Sequence, residues 1–189
     1  DETGLLDLPL PALPGPHQVQ NAGTALAALR ELGLDEAACE AALTRADWPA
    51  RMQRLRDGAW AERASGAELW LDGGHNPAAG RAIPETLRSL SGRPTHLICG
   101  MLNTKDIGGY MDPLAEVATS LTALTIPGET AALPAAEIAQ AAAQAGLSAT
   151  TAPDLETALD GITAHSPNGR ILICGSLYLA GHVLAENET

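Results

Sequence analysis

An α/β fold, with a mostly parallel sheet covered by helices on both faces, is predicted by three observations. Beyond residue 50, short apolar runs alternate with longer amphipathic stretches, and turn residues separate them. The tetrapeptide Leu-Ile-Cys-Gly occurs twice, at 97–100 and 172–175, each time closing such a run. Apolar residues make up 46% of the 189, yet Phe is absent and aromatics reach only 3%, so the core must be built from Leu, Ile, Val and Ala. Disorder is not compatible with that composition.

Taken in order, residues 1–16 carry Pro9, Pro11, Pro14, Gly15 and Pro16 among leucines, which favours extended structure and turns. From Gln18 to Leu32, Val19, Ala22, Leu26 and Leu29 fall at helical spacing and Gly33 supplies a stop. Asp35 caps a second short helix to about Thr44, and Trp48-Pro49 breaks it. A domain boundary is placed there, dividing 1–47 from 48–189. The expected strands are Met52 to Trp60, Glu68 to Asp72, Thr95 to Gly100, Leu121 to Ile126, Ser148 to Ala152 and Arg170 to Gly175. The expected helices are Pro77 to Leu90, Ile107 to Ala118, Pro134 to Ala145, Asp154 to Ala164, and Leu177 onward. The first two strands, separated by the short Glu-Arg-Ala-Ser-Gly turn at 62–66, are expected to form an antiparallel hairpin at the sheet edge.

The formal charge is −12, from 23 acidic and 11 basic residues, which makes duplex nucleic acid a poor partner. Arg51, Arg54 and Arg56 form the only local basic concentration, enough for one phosphate group. The single lysine, Lys105, is followed by Asp106, so the chain contains no Gly-Lys-Ser/Thr loop to cradle a triphosphate. Cys39, Cys99 and Cys174 are far apart and in no CxxC spacing, which predicts a reduced, cytoplasmic protein without a disulfide frame or zinc site. No apolar run approaches the length of a membrane span. The sequence starts at Asp1 without an initiator Met, and it is expected to begin partway through a longer gene product, a processed N-terminus being the alternative.

The richest stretch chemically is Leu71-Asp72-Gly73-Gly74-His75-Asn76-Pro77, at a strand end where a helix opens. Asn76 is placed to cap and Pro77 to occupy the first turn, so free N–H groups face outward toward an anion. Asp72 is suited to accept from sugar hydroxyls and His75 to donate to a carboxylate or phosphate; the alternative is a tight turn in which both bond only to loop backbone. Arg51 offers a planar fork to a phosphate, against a surface arginine paired with one of many carboxylates. Asn21 has the amide donor and acceptor that a base edge requires, against ordinary helix-start chemistry. Lys105 is a substrate contact or a local ion pair. Ser176 lies in no GxSxG context, so a nucleophilic role is not expected.

Five stretches resemble, in order and spacing, the C-terminal part of the folylpolyglutamate synthase/dihydrofolate synthase family, within the Mur ligase superfamily. They are His17-Gln18-x-x-Asn21-Ala22, Trp48-Pro49-x-Arg51-x-Gln53, Asp72-Gly73-x-His75-Asn76-Pro77, Gly100-x-x-x-x-Lys105-Asp106 and Gly175-Ser176-Leu177-Tyr178-Leu179-Ala180-Gly181. The resemblance runs from about Pro14 to the end, and the last run favours the folate branch over peptidoglycan-precursor ligases. It implies a Rossmann-like domain at 48–189, preceded at 1–47 by a helical remnant of a central ATPase domain. It also implies a ligase that uses ATP and Mg2+ to convert a dihydropteroate or reduced-folate carboxylate to an acyl phosphate, which L-glutamate then attacks.

By the same resemblance, Asn21 contacts the adenine, Arg51 the ATP phosphates and Asp72 the ribose. His75 stands near the glutamate and phosphate end as the catalytic candidate, and Ser176 and Lys105 line the glutamate side. The metal ligands and the triphosphate loop are expected in the missing upstream domain, so the isolated chain is expected to be inactive. Two positions depart from the family pattern: Ala50 stands where Gly is usual and Gly74 where Ala is usual. The competing reading is a stand-alone, non-catalytic Rossmann-like module that binds a nucleotide or metabolite.

Overall fold

The computed structural model describes residues 4–90, 92–103 and 106–187. The chain packs as two units, one ending at Pro49 and the other beginning at Ala50. The first holds helices α1 (Pro16–Glu31) and α2 (Glu36–Thr44). Helix α1 starts at a Gly15 with φ 117 followed by Pro16 at the position where a missing N–H costs nothing. It ends at Gly33, φ 77, whose N–H donates to Arg30 O. The Asp35 side chain caps α2 through Ala38 N at 2.9 Å, as its sequence position predicts. Ala22, Leu26 and Leu29 line an apolar groove with Pro11, Leu13 and Leu43, but Val19, expected on the same face, is exposed.

The second unit is a six-stranded sheet in the order β1-β2-β6-β3-β4-β5. The strands are β1 (Gln53–Leu55), β2 (Glu68–Leu71), β3 (Thr95–Cys99), β4 (Ser120–Ala123), β5 (Ser148–Thr151) and β6 (Arg170–Cys174). Only β1 is antiparallel, at the edge beside β2. The helices are α3 (Ala59–Arg63), α4 (Pro77–Ser89), α5 (Ile107–Ala115), α6 (Ala135–Gln144), α7 (Leu155–His165) and α8 (Leu177–Asn187). Strand periodicity sorts the side chains into two cores. Leu69, Leu71, Ile98, Ile171 and Ile173 meet α7 and α8 on one face. Trp70, Leu97, Cys99, Leu121 and Leu172 meet α4, α5 and α6 on the other.

The α/β expectation, with its parallel sheet, edge hairpin pairing and flanking helices, agrees with this architecture. Met52 to Trp60 is corrected: only Gln53–Leu55 is strand, and Trp60 lies in α3. The chain turns at Gly58, φ 96, where an added Cβ would overlap Asn187. The 62–66 segment is thus the end of a short helix and its exit, not a tight hairpin turn. Strand β4 begins one residue earlier and stops three earlier than Leu121 to Ile126 would have it.

The repeated tetrapeptide has a structural meaning. Its two copies are neighbours in register, with Leu97 opposite Leu172, Ile98 opposite Ile173 and Cys99 opposite Cys174. All six side chains are buried. Gly175 follows at φ 102, and a Cβ there would stand 2.7 Å from both Cys99 Sγ and Gly100 O. Glycine is the residue that allows the two strand ends to lie this close.

Candidate functional site

The carboxyl ends of β2, β6 and β3 lie side by side, and α4, α8 and α5 respectively follow them. Such an edge is where open α/β sheets place ligands. Each of these helices opens with a side-chain cap or turn: Asn76 Oδ1 accepts from Ala79 N at 3.0 Å, Asp106 Oδ1 from Gly109 N at 3.1 Å, and Ser176 Oγ from Tyr178 N at 3.1 Å. A cleft of about 210 Å³ opens here, lined by His75, Leu102, Gly175, Ser176, Leu177 and Tyr178.

The loop after β2 is held from within. Asp72 is 6% exposed, its Oδ1 accepts from Gly74 N at 2.7 Å, and its Oδ2 accepts from Met52 N at 2.8 Å. Gly73 N donates to Ala50 O at 2.8 Å, and Gly175 N donates to Gly74 O at 3.1 Å. His75 Nδ1 lies 2.9 Å from Gly73 O. A carbonyl only accepts, so Nδ1 carries the proton of this contact, and in the neutral ring Nε2 holds the lone pair.

Arg51 sits in a turn tied to this loop. Ala50 has φ 57 and Met52 φ 44, both left-handed and neither glycine, at a cost of roughly 1–2 kcal/mol each. Ala50 packs into one core and Met52 into the other, while Arg51 between them is exposed. Ala50 N donates to Gln53 Oε1 at 2.9 Å, closing the turn. No hydrogen bond or ion pair to another described residue engages the Arg51 guanidinium. The two departures from the family pattern flank this arrangement. Ala50 bears a conformation that glycine adopts without strain, and an alanine methyl at Gly74 would stand 2.7 Å from Ala79 Cβ and Asp72 Oδ1.

Arg51, Asp72, His75 and Ser176 are therefore brought to one edge of the sheet. Asn21 lies in the first unit, exposed on α1, with its amide nitrogen donating to Gln18 Oε1 at 3.0 Å. Lys105 lies outside the described residues. Gln53 was legible only as a motif letter; its i, i+3 spacing from Ala50 is the signal that it closes the turn. The cleft residues Leu102 and Tyr178 carried no sequence signal beyond their place after strand ends.

Beneath the site, Cys99 and Cys174 are buried. A hydrogen bond from Cys174, together with burial, pushes the Cys99 thiol well up. Burial, reinforced by the neighbouring Cys174, does the same to Tyr110. The Cys99 thiol and the Tyr110 hydroxyl stay protonated and serve as packing. Among the described residues no group of three or more His, Cys, Asp or Glu would hold a metal ion, and no helix is long and apolar enough to cross a membrane.

Comparison with known proteins gives a consistent set of relatives. The family "Mur ligase, glutamate ligase domain" matches residues 50–177. Folylpolyglutamate synthase of Lacticaseibacillus casei is 29% identical over 141 residues, which is 75% of this chain and 30% of that protein. The structure of E. coli FolC in complex with DHPP and ADP superposes with a TM-score of 0.81 at 27% identity, covering 98% of this chain and 42% of that one. A bifunctional folylpolyglutamate synthase/dihydrofolate synthase with Mn, AMPPNP and L-glutamate bound gives 0.79 at 29% identity, again over 98% and 42%. The chain thus spans less than half the length of each.

Proposed function

Because the chain belongs to the Mur ligase family through its glutamate ligase domain, we infer that it is the glutamate-side part of an ATP-dependent, amide-forming ligase. Its substrates in this reading are L-glutamate and dihydropteroate or reduced folates, and its place is the cytoplasm. The observation that carries the reading is the meeting of Arg51, Asp72, His75 and Ser176 at one sheet edge, with an unengaged guanidinium at its rim. Residues 48–189 act as the C-terminal domain and 1–47 as the end of a central ATP-binding domain.

ATP, when bound, supplies the phosphoryl group that activates the substrate carboxylate as an acyl phosphate. Arg51 donates two parallel hydrogen bonds to its phosphates. Asp72 accepts from the ribose, while Asn21 reads the adenine edge. The proton on His75 Nδ1 is fixed by Gly73 O, so Nε2 faces the reaction as an acceptor for a proton of the incoming amine. Ser176 Oγ accepts from Tyr178 N, which leaves its hydroxyl proton for the glutamate carboxylate. Lys105 is assigned to the same carboxylate. The described residues do not fit Mg2+, and both the metal and the triphosphate loop are assigned to a domain not contained in these 189 residues.

Reading the frame upstream of Asp1 and assaying its product tests this. The expected result is an in-frame Gly-Lys-Ser or Gly-Lys-Thr loop and ATP-dependent glutamylation by the longer product. That activity should fall about 100-fold or more with Arg51→Ala or His75→Ala, and be absent from the 189-residue chain alone. Glutamylation by the short chain would overturn the inactivity; a start codon immediately before Asp1 would overturn the ligase reading in favour of a binding module.

A further inference from the structure

Resting on the reading of Arg51 as a phosphate ligand, we propose that Asp72 is the positioning residue for Arg51, a strap that holds the backbone turn from which Arg51 projects. Ala50 and Met52 are the two non-glycine residues with positive φ, 57 and 44, among the described residues. Two side chains with Cβ atoms, placed in the region L residues avoid, do not stay there without an external restraint. Three hydrogen bonds supply it: Asp72 Oδ2 from Met52 N at 2.8 Å, Ala50 O from Gly73 N at 2.8 Å, and Gln53 Oε1 from Ala50 N at 2.9 Å.

The first of these is the charged one, buried, and reaches across 20 positions of sequence. A carboxylate accepting a backbone N–H away from water is the strongest of the three. Its other oxygen is fixed by Gly74 N at 2.7 Å, in the same loop that carries His75. Asp72 therefore ties the Arg51 turn to the His75 loop, alongside the Gly73 N–Ala50 O bond. A mere ribose contact would not require both oxygens to be engaged by backbone.

The two roles separate with a probe that has no ribose. Inorganic tripolyphosphate is titrated into the wild-type 189-residue chain, Asp72→Asn, and Asp72→Asn with Ala50→Gly, alongside ADP. Amide exchange at Met52 and 15N relaxation of the Arg51 backbone N–H are followed without ligand. The expected result is that Asp72→Asn speeds Met52 exchange about tenfold, loosens the Arg51 backbone, and weakens tripolyphosphate about tenfold. Ala50→Gly, which accepts the left-handed turn without strain, should recover most of both.

Unchanged Met52 exchange in Asp72→Asn, or a loss confined to ADP, would overturn the strap. If Asp72→Asn does not fold, rescue of the fold by Ala50→Gly supports it and failure of that rescue overturns it. Absence of tripolyphosphate binding to the wild type would sink the phosphate role of Arg51 instead, while the exchange and relaxation data would still decide the positioning.

Discussion

Asn187 Oδ1 accepts the backbone N–H of Trp60 at 3.0 Å, across 127 positions of sequence, so the last residue of α8 caps the first turn of α3. The same side chain donates from Nδ2 to Asp57 O at 2.8 Å. A five-residue helix is too short to persist by its own hydrogen bonds. Asn187→Ala should lower the free energy of unfolding by about 1–2 kcal/mol in urea titration, and Asn187→Asp, which keeps the acceptor and loses the donor, by about half of that. Equal losses for the two variants would mean that the Trp60 contact contributes nothing.

Two glycines make opposite predictions. At Gly175 a methyl meets Cys99 Sγ and Gly100 O at 2.7 Å with φ 102, so Gly175→Ala should cost about 3 kcal/mol or more. At Gly161, inside α7, a Cβ meets nothing within 4 Å, and Gly161→Ala should stabilise by about 0.5–1 kcal/mol. Denaturation midpoints of the two variants, moving in opposite directions, check both.

Glu68, at the amino end of the sheet, gives a pH signature. Burial pushes its carboxyl up, but the Trp70 N–H and the cations Arg54, Arg170 and Arg93 outweigh that and hold it below its ordinary value. Arg170 Nε lies 3.3 Å away and is 2% exposed. A depressed carboxyl contributes stability above the ordinary glutamate range, near pH 4.3, and loses it as pH falls through the lower folded value. Glu68→Gln should cost about 2 kcal/mol at pH 7, with the gap to wild type closing toward pH 3. A gap that persists at pH 3 would show that charge is not its source.

His96 titrates the other way from a histidine that gains a carboxylate. Burial pushes its imidazole down, and Nδ1 lies 2.8 Å from Ser120 Oγ. As pH falls below about 6.5 the unfolded chain takes this proton first, so stability is lost until the folded imidazole also protonates. His96→Gln should flatten the decline of the melting temperature between pH 7.5 and 5.5. An unaltered slope would remove His96 as its cause.

The elements that were legible are those whose signals are local. Alternating Leu and Ile in β3 and β6, the caps Asp35, Asn76 and Asp154, and Gly33 each act within a turn of their own position. The start of helix α3 falls in the expected strand Met52 to Trp60, and its end in the expected 62–66 turn, because its cap, Asn187, lies 127 positions from Trp60. The Arg51 turn was equally illegible as a conformation: neither Ala50 nor Met52 favours positive φ, and the bond that keeps Met52 there comes from Asp72. Of the candidate site, the helix-opening chemistry at Asp72–Pro77 could be seen in order of residues, whereas the engagement of both Asp72 oxygens by backbone needed the neighbouring loop to be in place.

The twin tetrapeptides in β3 and β6 also set a problem for folding. Either copy presents the same Leu-Ile-Cys-Gly to a partner strand, so a chain threaded with the two exchanged would satisfy most of the sheet's ladder. What separates the outcomes lies one step upstream, where His96 pairs with Ile171 and Thr95 with Arg170. Exchange would push an imidazole into the slot Ile171 fills at 0% exposure, leaving ring nitrogens without partners at a cost of roughly 1–3 kcal/mol. It would also take the Arg170 guanidinium away from Glu68. Positions 96 and 170 therefore help to discriminate the order of the central strands, and errors of threading in this protein should concentrate in variants that make position 96 apolar.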